Sequence, residues 1–159
     1  MKNITLKAEI KFCRFDEMEE NEQRLINKAI KATENSYAPY SEFNVGAALR
    51  LEDGTEIIGA NQENAAFSVT LCAERSAIFN AQSNYPDKPI THIAIAAKNK
   101  SGFIDNPVAP CGSCRQAILE MECRYKRNIT IYLYGTNGIY VLNSVKDILP
   151  LSFSDDNMR

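Results

Sequence analysis

The chain is 159 residues long, 45% hydrophobic and 24% charged, with a formal net charge of -2. This is ordinary globular usage and excludes a disordered or low-complexity chain. The charge balance lacks the electropositive field that a DNA or RNA polymer needs, and no apolar run approaches the roughly 18 residues of a membrane span.

Residues 1–12 alternate apolar and polar side chains, a strand pattern rather than the continuous apolar stretch of a secretory leader. Asp16 with Glu19 three residues on predicts a capped helix, whose face of Leu25, Ile26, Ala29 and Ile30 runs to about Thr33. Pro39 ends any helix in the turn-rich stretch 35–41. Strands over Asn44–Leu51 and Thr55–Ala60 flank Asp53-Gly54, a hairpin signal. Leu71–Ala81 reads as helix, Ile90–Ala97 as a buried strand, and Cys111 opens a helix reaching about Arg124. The basic cluster Arg124, Lys126, Arg127 reads as the solvated end of that helix. Strands over Ile129–Tyr134 and Gly138–Leu142 follow, then a short helix capped by Ser144 and stopped by Pro150. No repeat or linker interrupts the pattern, so a single domain over residues 1–159 is expected, with one sheet covered on both faces.

Five cysteines without a leader point to a cytoplasmic protein that uses thiols for metal or redox chemistry, not for disulfides. Cys111-x-x-Cys114 alone fits a zinc half-site, a redox dithiol or chance. At a helix start its two thiols share a face, and the helix dipole favours thiolates. Two thiolates do not complete a tetrahedral zinc site; Cys72, opening another helix, is the candidate third ligand, leaving the fourth position for water. Glu74, two residues on, matches the carboxylate of the H-x-E…P-C-x-x-C arrangement, with Cys72 in the histidine position. Residues two apart on a regular helix face different ways, so Cys72 is expected in the cap or first turn.

These motifs, with SYAPYSEFNVGAA at 36–48, NQEN at 61–64, CAER at 72–75 and PCGSCRQ at 110–116, closely resemble the small cytidine deaminases, in the family's order and over most of the chain. The resemblance implies a three-layer α/β/α sandwich around a five-stranded mixed sheet, to which this chain adds its N-terminal strand. It also implies one Zn²⁺ per subunit and a homotetramer with active sites shared between subunits. The implied reaction is hydrolytic deamination of a free cytosine nucleoside, cytidine or 2′-deoxycytidine, as in pyrimidine salvage. Cys72, Cys111 and Cys114 would hold zinc, and Glu74 would shuttle protons. Phe43 would pack on the pyrimidine ring; Asn61 and Glu63 would bind the ribose hydroxyls. Backbone at Ala65 would meet the sugar from a neighbouring subunit, backbone at Ala73 and Cys111 the base, and Phe153 would cover the base across an interface. Three thiolates leave zinc with net negative charge, and a guanidinium donating to the sulfurs, Arg75, would restore its acidity. The chain departs from the family at Phe67, where many members carry tyrosine, and at Ser68-Val69-Thr70.

Three rival readings stand beside this one. Deaminases of guanine or of adenosine in tRNA usually place histidine at the Cys72 position, whereas a blasticidin S deaminase shares the three cysteines; Asn61, Glu63 and Arg75 favour cytidine. A non-catalytic zinc module has no use for Glu74, and a redox dithiol leaves Cys72 and Glu74 without a role. His92, Cys13 and Cys123 lie away from the motifs and are expected to be structural. Phe12, Phe15, Tyr132, Tyr134 and Tyr140 fit strand packing or subunit contacts.

Overall fold

Strand alternation and helical periodicity sort the apolar residues onto two faces of one sheet in the computed structural model, which describes residues 1–158. The strands are β1 (Ile10–Cys13), β2 (Asn44–Leu51), β3 (Glu56–Ala60), β4 (Ile90–Asn99), β5 (Gly102–Phe103), β6 (Thr130–Gly135) and β7 (Gly138–Leu142). Their order is β1-β7-β6-β4-β2-β3, with β5 attached to β4. β4 and β6 are parallel and the other neighbours antiparallel, so the sheet is mixed. A parallel pair needs a long crossover, which helix α3 (Gly112–Tyr125) supplies. Helix α1 (Glu20–Ala32) packs on one face, and α2 (Ala73–Asn84) with α3 on the other.

The pleat explains this division. Leu49 and Leu51 of β2, Ile93 and Ile95 of β4, and Ile131 and Leu133 of β6 point toward Ile78 of α2 and Ile118 and Leu119 of α3. The residues between them, Ala48, Ala94 and Ala96, meet Leu25, Ile26 and Ala29 of α1. Small side chains on that face bring α1 close to the sheet. At Gly46 an added Cβ would collide with the Ala29 carbonyl oxygen. Gly59 of β3 does the same for α2, since a Cβ there would stand 2.5 Å from both the Ala73 oxygen and the Ala77 nitrogen. That contact seats the first turns of α2 against the sheet edge.

The five central strands are those expected, with β1 as the N-terminal addition; the two-residue β5, a short return on β4, is a seventh strand that alternation did not predict. The alternation of residues 1–12 yields a strand only from Ile10, because the partner β7 ends at Leu142 and the chain then turns at Ser144. The first helix begins at Glu20, not Asp16: Glu19 and Glu22 make the reciprocal cap, while Arg14 and Glu17 close a separate 3-10 turn at Phe15–Glu17. α2 starts at Ala73 rather than Leu71, and runs to Asn84. The Asp53-Gly54 turn is present, with Gly54 at φ 85. α3 ends at Lys126 in the left-handed conformation, where Arg124 bonds the Pro86 carbonyl and Arg127 pairs with Glu52, as a solvated helix end should. Among the described residues no helix is long and apolar enough to cross a membrane.

Candidate metal and nucleoside site

The N-termini of α2 and α3 meet on the same side of the sheet. Cys72 is the N-cap of α2, with extended backbone (φ -71, ψ 154), and Cys111 is the N-cap of α3 (φ -65, ψ 167). Extended caps swing these side chains off the helix axes and toward each other. Cys72 Sγ and Cys111 Sγ are 3.9 Å apart, and all three sulfurs, with that of buried Cys114, lie within 4.8 Å of one another. Zn–S bonds of ~2.3 Å in a tetrahedron put sulfurs about 3.8 Å apart, so the trio fits one zinc ion. Convergence of the third thiol also removes the case for a two-cysteine redox motif.

Electrostatics favour thiolate here. The Cys72 thiol is pulled down to about 5, first by a hydrogen bond from Cys114, with help from Arg75 and Cys111. Cys114, as the donor, is pushed up. Arg75 Nη2 lies 3.6 Å from Cys72 Sγ. Its Nε is buried without a hydrogen-bond partner, a cost that neighbouring thiolate charge offsets. Arg115 anchors the second motif by donating to the Pro110 and Ile148 carbonyls at 2.8 and 2.7 Å.

A cavity of about 300 Å³, the size of a small-ligand site, opens onto these thiols. Glu74, Cys72, Cys111 and Ala73 form its inner wall; Phe43, Asn61 and Glu63 line it as well. Glu74 is 5% exposed, and burial, reinforced by the charge on Cys72, raises its carboxyl above the usual carboxylate range. Asn61 and Glu63 follow the end of β3 and are held beside the α2 N-terminus by backbone bridges from Gln62 to Tyr37 and Leu71. Glu63 is lowered by the Ser41 hydroxyl and by the Tyr40 and Ser41 amides.

Ala65 and Phe153 stand apart from this group. Both are exposed and neither lines the cavity; the Phe153 carbonyl accepts a hydrogen bond from Gln116. Ile95 and Val108 complete the apolar wall, and Ser41 reaches it too. The motifs did not single these out, because their neighbours come from distant segments. His92 is stacked on Tyr132 with ring centroids 6.0 Å apart, and Cys13 packs on Met18; neither lines the cavity. Cys123 packs against the core. Phe12 lies on Tyr140, and Tyr134 on Phe103, as strand residues.

Comparison with known proteins agrees with this site. The family model described as the cytidine and deoxycytidylate deaminase zinc-binding region matches residues 19–130. The chain is 42% identical over 137 residues to a cytidine deaminase of Halalkalibacterium halodurans, covering 86% of this chain and 97% of that one. It is 40% identical over 136 residues to a cytidine deaminase of Sporosarcina psychrophila. The crystal structure of cytidine deaminase from Burkholderia pseudomallei superposes with a TM-score of 0.71 at 37% identity, covering 86% of this chain and all of that one. The chain belongs to the zinc-binding cytidine and deoxycytidylate deaminase family.

Proposed function

We propose that this chain hydrolyses the exocyclic C–N bond of free cytidine and 2′-deoxycytidine, giving the uridine product and ammonia. The observation that carries this reading is the cluster of three thiols, two of which, Cys72 and Cys111, line the same cavity as buried Glu74, Asn61 and Glu63. One zinc ion held by Cys72, Cys111 and Cys114 would supply the Lewis acidity that makes water a nucleophile at neutral pH. Phe43 packs against the pyrimidine, and backbone at Ala73 and Cys111 meets its polar edge. Glu74 accepts one proton of the water that adds at C4 and passes it to N3. It then takes the remaining hydroxyl proton of the C4 adduct and delivers it to the exocyclic amino group, so that ammonia leaves as the C4 carbonyl forms. Its burial keeps bulk water from competing for that proton. Asn61 and Glu63 bind sugar hydroxyls. Arg75 draws negative charge from the sulfurs.

The reading includes a single catalytic domain over residues 1–159, a cytoplasmic location, a place in pyrimidine salvage, and a homotetramer. Assembly is supported by the apolar surface beside the cavity, where Phe67 is 75% and Val69 63% exposed and Tyr40 meets Phe67 edge-on. Ala65 and Phe153, which do not line their own chain's cavity, would then contribute to a neighbour's. The test is ultraviolet absorbance of cytidine with purified protein, alongside zinc content. Conversion with one zinc per chain is expected, and Glu74→Gln should keep zinc but lose about 10³-fold in kcat. Full activity in Glu74→Gln would overturn the mechanism, and no conversion of either nucleoside would overturn the function.

A further inference from the structure

The loop before β2 carries two serines that the reaction just described does not use, and both are bonded to sugar-binding residues. Asn61 is 8% exposed, and its amide is held at both ends. The Val45 N–H, which can only donate, lies 2.8 Å from the side-chain oxygen of Asn61. The Phe43 carbonyl, which can only accept, lies 2.9 Å from its nitrogen. These backbone partners settle which end is which, and the Ser36 hydroxyl, 2.5 Å from the oxygen, must therefore be the donor. Both lone pairs of the amide oxygen are taken. What remains of Asn61 is one N–H.

Glu63 shows the opposite polarity. Its Oε2 accepts from the Tyr40 and Ser41 amides at 2.8 and 3.2 Å. Its Oε1 accepts from the Ser41 hydroxyl. That hydroxyl in turn accepts from the Phe43 amide at 3.1 Å, which aims its proton at Glu63. The turn depends on Glu42 at φ 53, a left-handed conformation uncommon outside glycine, which folds Ser41 back beneath Phe43. What remains of Glu63 is a lone pair. Glu63, Ser41, Phe43, Asn61 and Ser36 thus form one bonded chain along the cavity.

We propose that Ser36 and Ser41 are positioning residues: Ser36 caps the remaining lone pair of the Asn61 oxygen so that only an N–H is left for the sugar, and Ser41 holds the Glu63 carboxylate with one lone pair free, so that the site selects a group able both to accept and to donate. This rests on the function proposed above. A sugar hydroxyl does both; hydrogen, fluorine or azide in its place does not. Without Ser36 the Asn61 oxygen regains a free lone pair. Without Ser41 the carboxylate loses a donor and the tie to Phe43.

The test is a KM-against-Ki comparison. For Ser41→Ala and Ser36→Ala, KM for cytidine should rise about tenfold, the worth of a hydrogen bond to a charged or buried partner. The Ki of 2′,3′-dideoxycytidine as a competitor should stay within about twofold, because that ligand lacks the 2′- and 3′-hydroxyls that Asn61 and Glu63 would read. Zinc content and kcat should hold, and Ser→Thr at either position should restore KM. Parallel loss of cytidine and dideoxycytidine binding would mean that the serines merely support the loop, and an unchanged KM would mean that they do nothing; either overturns the proposal. Inability of the unaltered enzyme to convert cytidine is a separate result, seen before any variant is made, and it removes the function on which the proposal rests.

Discussion

The chemistry of single side chains follows from what surrounds them. Arg75 is the clearest case, because its guanidinium is held against Cys72 while its Nε has no other partner. Arg75→Gln should retain zinc but lower kcat by about ten- to a hundredfold, the usual cost of removing a group that tunes a metal ligand, measured with zinc content and kcat on the same preparation. A drop in zinc alone, with kcat per zinc unchanged, would assign Arg75 to metal retention instead. Glu122 shows what a buried carboxylate does without chemistry. It is 3% exposed and accepts from the Ile129 and Val145 amides and the Ser144 hydroxyl, joining the end of α3 to the start of β6 and to the turn after β7. Glu122→Ala orphans three donors and should destabilise by about 2–4 kcal/mol in denaturant unfolding, leaving kcat per folded enzyme intact.

Elements set the geometry that these side chains exploit. Gly59 lets the first turns of α2 lie on β3, and Gly59→Ala must push that helix away because the obstructing atoms are backbone. The displaced N-terminus carries Cys72 and Glu74, so the variant should lose zinc affinity and activity together, with stability reduced by about 1–3 kcal/mol. On the other face, α1 is tied to the β2–β3 hairpin through Glu56, which receives Arg24, Lys28 and Arg50. Burial raises the carboxyl of Glu56, but those three hydrogen-bonded cations outweigh it and hold its pKa at about 2, against an ordinary 4.5. A depressed folded-state value means the contribution is complete above about pH 4.5 and fades as pH falls toward 2. Glu56→Gln should therefore unfold at lower denaturant than the unaltered chain at pH 7, with the gap closing as pH falls through that window. A gap of constant size would show that packing rather than charge explains the loss.

At the scale of the molecule, the metal joins parts of the chain that are far apart in sequence. Cys72 and Cys111, 39 residues apart, come from two helices that touch mainly through the same core. Removing zinc with a chelator should lower the thermal transition and release the α2 and α3 N-termini first, visible as faster amide exchange at residues 71–76 and 111–115. Uniform exchange across the sheet would instead mark the metal as global glue. Much of this was legible in the chain itself. Alternation with β-branched residues placed the five central strands, and C-A-E with P-C-x-x-C announced metal and carboxylate together, because these elements depend on near neighbours and on residue chemistry. The local pattern starts the first helix too early because Asp16 offers a cap equal in kind to that of Glu19, and only the separate Arg14–Glu17 turn decides between them. Alternation alone overstates the N-terminal strand because strand pairing needs a partner, and β7 stops at Leu142. Ser36 and Ser41 lie within the segment 36–48, yet their partners are Asn61 and Glu63, 25 and 22 residues away. Residue chemistry and local pattern specify which side chains can bind zinc, move a proton and bury a core. Which of them meet, and which way each hydrogen bond runs, is set by the folded chain, since those depend on distances closed by folding and on donors belonging to the backbone.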